Sequence, residues 1–176
     1  MGNINNPSKV KFFCGLIYNK EFNIKGFKNV LEKLWGKMDI VSDPIPFTYT
    51  EYYNEEMGVP LFRILLSFEE LVDREILAQR KIESNEIENN FLINGKRQLN
   101  IDPGYFTLGQ LILASTKDRD QRIYIGNGIF AEVTLRYSKN KFHAYPWTYR
   151  DYASPEYEPI LLSIRNKLYA QTKQIS

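Results

Sequence analysis

The segment Val10–Tyr18 (VKFFCGLIY) is the strongest single constraint on this chain's fold. It is a nearly continuous apolar run bounded by polar residues, and it is too short to cross a membrane as a helix. A strand with one wet face alternates apolar and polar residues, whereas a run without alternation is covered on both faces. The chain therefore needs an inner strand with helices or further chain on each side of its sheet. With 176 residues, 43% of them hydrophobic and 14% aromatic, it can supply that cover within one domain. The expected organisation is a flexible N-terminus over residues 1–8 and one globular domain over 9–176.

The pattern downstream alternates in type. Ile24, Phe27, Val30, Leu31, Leu34 and Trp35 recur at helical spacing, with Lys25, Lys28, Glu32 and Lys33 opposite and Gly36 placed to end the helix. Residues 38–48 read as extended, and their two prolines make this an edge or irregular strand. Residues 50–58 are acidic, aromatic and turn-prone. Leu61–Phe68 reads as a second buried strand, and a helix is expected from about Glu69 to Phe91, with a break at Ser84–Asn85 where Ser84 would cap a second piece. On that helix Lys81, Asn85 and Glu88 share one face, expected to be solvated. A short strand is expected over 97–101, then a type II turn at Asp102–Pro103–Gly104–Tyr105.

Strands are expected at 111–115 and 122–125, with Gly126–Asn127–Gly128 as a tight connector. Clean alternation from Ile129 to Tyr137 puts Ile129, Ala131, Val133, Leu135 and Tyr137 on one face and Phe130, Glu132, Thr134 and Arg136 on the other. Residues 141–145 can pair back as a hairpin, and a last helix spans about 155–170. The fold class is α+β: a single domain with a largely antiparallel or mixed sheet. Its first half runs strand–helix–strand–strand–helix–strand, the order of a ferredoxin-like unit, extended by further strands and a C-terminal helix.

Exclusions are the firmest functional statements. One cysteine, Cys14, and one histidine, His143, cannot build a cysteine–histidine zinc site, and no metal-site residues are assigned. A lone cysteine inside an apolar run reads as a buried small residue, and the absence of an intramolecular disulfide suits a reducing compartment. There is no phosphate loop of the GxxxxGK[ST] type and no GxGxxG fingerprint. Thr116–Lys117–Asp118 resembles the guanine-reading element of GTPases only out of register, since position 119 is Arg. No signal peptide, myristoylation or membrane span is expected, and a soluble cytoplasmic protein is the expectation. A net charge of +2 leaves no broad nucleic-acid footprint, although a local basic patch stays open.

What remains is polar chemistry at expected strand ends. Asp102 can act as a general base or a magnesium ligand, and Glu132 can share that role; Glu132 is also a carboxylate that needs Arg122 or Arg136 if its face is covered. Lys117, Arg119 and Arg122 can hold phosphate or carboxylate, with Thr134 beside Glu132. Trp147 and Tyr149, in the run AYPWTYRDY, can stack a ring. For each of these the alternative is structural: pairing on a solvated sheet face, or packing of a loop onto the core. If they converge, the function is binding of, or action on, a phosphate-bearing small molecule such as a nucleotide. The alternative is a non-enzymatic module that binds a protein or RNA partner through the aromatic-basic segment 145–152. No cofactor is identified.

Several segments in order, TYTEYYNEEMG, SNEIE, LNIDPGY, LASTKDRDQRIYIGNGIFAEVTL and PWTYRDY, resemble a bacterial family known as domain of unknown function 4416. The resemblance spans almost the whole chain and implies a single domain, but no mechanism. In the family pattern a histidine precedes the Arg-Ile-Tyr segment; this chain has Gln121 there, which removes an imidazole from any general-base role at that position.

Overall fold

The computed structural model describes residues 2–175. Its centre is β1 (Val10–Asn19), which pairs antiparallel with β4 (Leu61–Val72) on one side and β5 (Leu99–Phe106) on the other. β2 (Met38–Val41) and the two-residue β3 (Ile45–Pro46) share the outer edge of β4, where prolines remove few ladder bonds. Beyond β5 come β6 (Gln110–Ser115) and β8 (Ile129–Ser138), with β7 (Ile123–Gly126) and β9 (Lys141–Ala144) folded back on β8 as hairpins. The nine strands among the described residues form one antiparallel sheet. Its first four main strands lie in the order β2-β4-β1-β5, the split βαβ arrangement of a ferredoxin-like unit.

β1 is covered on both faces, as its composition requires. Phe12, Cys14, Leu16 and Tyr18 point toward α1 (Ile24–Trp35) and α3 (Ile76–Asn90), meeting Phe27, Leu31, Trp35 and Ile87. Phe13 points the other way, toward Leu161, Ile164 and Leu168 of α4 (Glu158–Ile175). Each such aliphatic side chain contributes about 1.5–3 kcal/mol on burial. Cys14 is fully buried, which pushes its thiol up. Ile17 packs with Phe47 and with Met57 of the short α2 (Asn54–Met57). In α1 the Asn23 side chain accepts the Gly26 N–H at 3.0 Å, and Gly36, at φ +96°, closes the helix. Leu34, on the margin of the stripe set by Phe27, Leu31 and Trp35, stays exposed.

Four local expectations are corrected. β4 continues through Val72, because pairing of Leu71 and Val72 with Lys11 and Val10 recruits residues expected to begin the helix. α3 is unbroken at Ser84, whose hydroxyl donates to the Arg80 carbonyl at 2.7 Å. Residues 102–105 form no turn and lie within β5, where Pro103 pairs with Cys14. The backbone of Ile101 faces away from β1, so two residues on, the N–H that proline lacks would also have pointed out of that ladder. Lastly, Leu135 opposes Leu111 while Val133 opposes Ile112, leaving Thr134 as an extra residue on β8. The alternation changes phase there: Ile129, Ala131 and Val133 face α3, whereas Leu135 joins the α4 side.

Residues 2–9 carry no helix or strand; of the expected flexible N-terminus, Met1 lies outside the described residues. No helix among the described residues is long and apolar enough to cross a membrane.

Candidate functional site

The sheet splits between β5 and β6. These strands pair only from Gly104↔Leu113 to Phe106↔Leu111, so residues 99–103 of β5 lose their neighbour. Gly104 stands at the fork: a Cβ there would lie 2.3 Å from the Ile112 carbonyl oxygen. The freed backbone of Ile101 is satisfied by α3 instead. The Glu88 carboxylate accepts the Ile101 N–H at 2.7 Å, and the Lys81 ammonium donates to its carbonyl at 3.0 Å. Lys81 and Glu88 are consequently buried, not solvated as their helical face suggested.

A cleft of about 900 Å³ opens at this split, near the upper end of the range for small-molecule sites. Its floor is Arg63, projecting from β4 across Gly15, where any Cβ would lie 2.4 Å from Arg63 Nη1. Glycine is therefore needed at position 15 for the guanidinium to cross the sheet. Arg63 Nη2 lies 3.1 Å from both Asp102 Oδ2 and Asp151 Oδ2, Nη1 donates to the Tyr152 hydroxyl at 3.2 Å, and the guanidinium sits over the Phe47 and Tyr152 rings. Burial opposes this charge, yet Tyr152, Asp151 and Asp102 hold Arg63 protonated, above its ordinary range. Burial raises the Asp151 carboxyl, and the attraction of Arg63 only partly offsets it. Asn100 Nδ2 holds Asp102 Oδ1 at 2.9 Å, and Arg97, paired with Glu56 at 2.6 Å, reaches Asn100 Oδ1 at 3.2 Å.

Three segments wall the cleft: Phe47–Tyr53, the end of β6 with the two residues after it (Leu113 to Lys117), and the loop Trp147–Tyr152. The mouth is aromatic and cationic. Lys117 Nζ lies 5.3 Å from the centroid of the Tyr52 ring, bridging two walls. Trp147 stacks on Tyr145 at 4.7 Å and donates its indole N–H to the Val133 carbonyl at 3.0 Å; it is 38% exposed, and Tyr149 is 49% exposed.

The expected site residues divide into two groups. Asp102, Lys117, Trp147 and Tyr149 converge on the cleft. Arg122 and Glu132 do not line it; they form a buried pair at 2.7 Å behind its wall. Arg122 also donates to Ser115 Oγ at 2.7 Å, the Lys117 carbonyl at 2.8 Å and the Tyr149 hydroxyl at 2.8 Å, so it ties the β6 wall to the 147–152 wall. Thr134 is fully buried at the bulge, and its carbonyl accepts from the Thr148 hydroxyl. Arg119 is exposed in the turn before β7 and lies off the cleft. Gln121 donates from Nε2 to Glu132 Oε2 at 3.5 Å. His143 sits on β9, bonded to the Ser138 carbonyl at 3.0 Å.

Sequence reasoning missed Arg63, Arg97 and Asp151. One signal was available for Arg63: an arginine within the buried run LFRILLSF must find carboxylates. A second depression, on the outer side of α1, is shallower in content, lined by Asn29, Glu32, Lys33 and Lys37 with no aromatic. No group of three or more metal-ligating side chains is present among the described residues.

The model of the family described as Domain of unknown function (DUF4416) matches residues 8–168, and the chain belongs to that family. The matched span includes every residue that lines the cleft. Searches of curated proteins and of solved structures found no match.

Proposed function

We propose that the cleft binds a phosphate-bearing small molecule, a nucleotide being the ligand that best uses all of its walls. The observation that carries this reading is a charge asymmetry. Among the described residues, five cations and three carboxylates line the cleft. Each carboxylate already faces a cation: Asp102 and Asp151 face Arg63, and Glu88 lies 3.8 Å from Arg97. Lys117 and Arg150, at the mouth, have no carboxylate partner among the described residues. Two cations without a carboxylate partner, one of them over the Tyr52 ring, suit an anion joined to a planar group.

Thermal unfolding in the presence of nucleotides tests the reading. A ligand at a hundredfold excess over its Kd stabilises the folded form by about 2.7 kcal/mol. Stabilisation by millimolar nucleotide is expected, and its loss in Lys117→Ala/Arg150→Ala; no stabilisation by any nucleotide refutes the reading. The alternative, a module that binds RNA or protein, draws on the exposure of Trp147 and Tyr149. Its signature is oligonucleotide binding that falls steeply with salt while free nucleotides have no effect.

A further inference from the structure

We infer that the ligand carries a sugar whose hydroxyl groups bond to Asp102, with its ring and its phosphate both held at the mouth. This rests on the nucleotide reading above and adds which part of the ligand faces the floor. Asp102 is the open carboxylate of the cleft: its side chain is 27% exposed, against 5% for Asp151 and 8% for Glu88. Asn100 occupies one of its oxygens and Arg63 faces the other. A carboxylate offers roughly four acceptor sites, so about two stay free on its cleft side.

The partner of those free sites must donate hydrogen bonds. A cationic amine is disfavoured, because Arg63 already answers the charge of Asp102 and the lining as a whole carries excess positive charge. Neutral donors remain, either sugar hydroxyls or the N–H edge of a base. The layout of the cleft separates them. The exposed rings (Tyr52, Trp147 and Tyr149) and the cations without a carboxylate partner (Lys117 and Arg150) all stand at the mouth. A nucleotide that stacks its base and binds its phosphate there directs the sugar that joins them toward the floor. Asn100 and Arg63 fix Asp102 in advance, which limits the ordering cost of binding.

Isothermal titration of the wild-type chain with adenosine 5′-monophosphate, its 2′,3′-dideoxy analogue, guanosine 5′-monophosphate, ribose 5-phosphate and inorganic phosphate tests this inference. Loss of hydrogen bonds to a charged acceptor lowers affinity about ten- to a hundredfold. That is the deficit expected for the dideoxy analogue, and ribose 5-phosphate is expected to bind better than inorganic phosphate. In Asp102→Asn the discrimination between ribo and dideoxy forms is expected to shrink toward unity; if that variant does not fold, the wild-type comparison decides alone. Equal affinity for ribo and dideoxy forms overturns the inference while leaving nucleotide binding intact. A strong preference for guanosine with no dideoxy deficit overturns it in favour of a base edge at Asp102. Binding of no phosphate ester at all overturns the inference together with the nucleotide reading.

Discussion

Arg63→Met removes one positive charge from between two carboxylates and is the most informative single change to the floor. Both ion pairs, at 3.1 Å, are lost, as are the contacts over Phe47 and Tyr152. The two stranded carboxylates are not equivalent: Asp151 is almost fully buried, whereas Asp102 opens to the cleft and keeps Asn100. Breaking a buried pair costs about 3–5 kcal/mol, chiefly as uncompensated charge. With a urea dependence of about 2 kcal/mol per molar, the unfolding midpoint should fall by roughly 1.5–2.5 M at pH 7. Asp151→Asn in the Arg63→Met background should restore most of that loss, and Asp102→Asn much less.

The pH dependence of this variant carries a sign. Burial raises the Asp151 carboxyl in the folded chain, and Arg63 is the attraction that lowers it. Without Arg63 the folded pKa rises further. The folded form then holds its proton where the unfolded form has lost it, so stability is greatest below the ordinary carboxylate range and is lost as pH rises through the raised value. Urea melts of Arg63→Met between pH 4.5 and 8 should show the deficit shrinking toward acid. A loss below about 1 kcal/mol, a pH-independent deficit, or better rescue by Asp102→Asn would refute the account of the floor.

Gly15→Ala should lower stability by about 1–3 kcal/mol, as overpacking does, because its Cβ meets Arg63 Nη1 and, at 2.8 Å, the Tyr152 hydroxyl; an unchanged melting temperature would deny that crossing. Arg122→Met should cost about 3–5 kcal/mol by stranding Glu132, and Glu132→Gln in that background should recover much of it, as read by urea melts. Glu56 behaves opposite to Asp151: hydrogen bonds from Arg97 hold it below its ordinary range. Its contribution is present above the ordinary carboxylate range and lost as pH falls through the lowered value, so Glu56→Gln should flatten the acid side of the stability profile.

The elements were legible where one local pattern had one solution. Val10–Tyr18 could only be an inner strand, and the four-residue spacing of Phe27, Leu31 and Trp35 could only be a helix face. Reading failed where a partner decided the outcome. Asp102–Tyr105 has the residues of a turn, but β1 holds it extended. The phase change at Thr134 depends on the register with β6, which no pattern within β8 encodes. The site was half legible for the same reason. Asp102, Lys117, Trp147 and Tyr149 lie on segments whose composition marked them. Lys81 and Glu88 belong to the site because the sheet splits beside α3 and frees the Ile101 backbone, and Arg63 because Gly15 lets it cross β1. Glu132 was matched to Arg122 or Arg136; it pairs with Arg122, but behind the wall.

In the proposed complex Lys117 and Arg150 hold an anion beside the aromatic mouth. Tryptophan fluorescence tests it directly, because the chain has two tryptophans and Trp35 is buried at 7% exposure against α3, away from the mouth. Titration with a nucleoside monophosphate at low salt should give a saturable change. That change should vanish in Trp147→Phe, weaken as salt rises, and require far more ligand in Lys117→Ala/Arg150→Ala. A wild-type signal that stays flat through millimolar ligand, or saturation equally tight in the double variant, would contradict the claim.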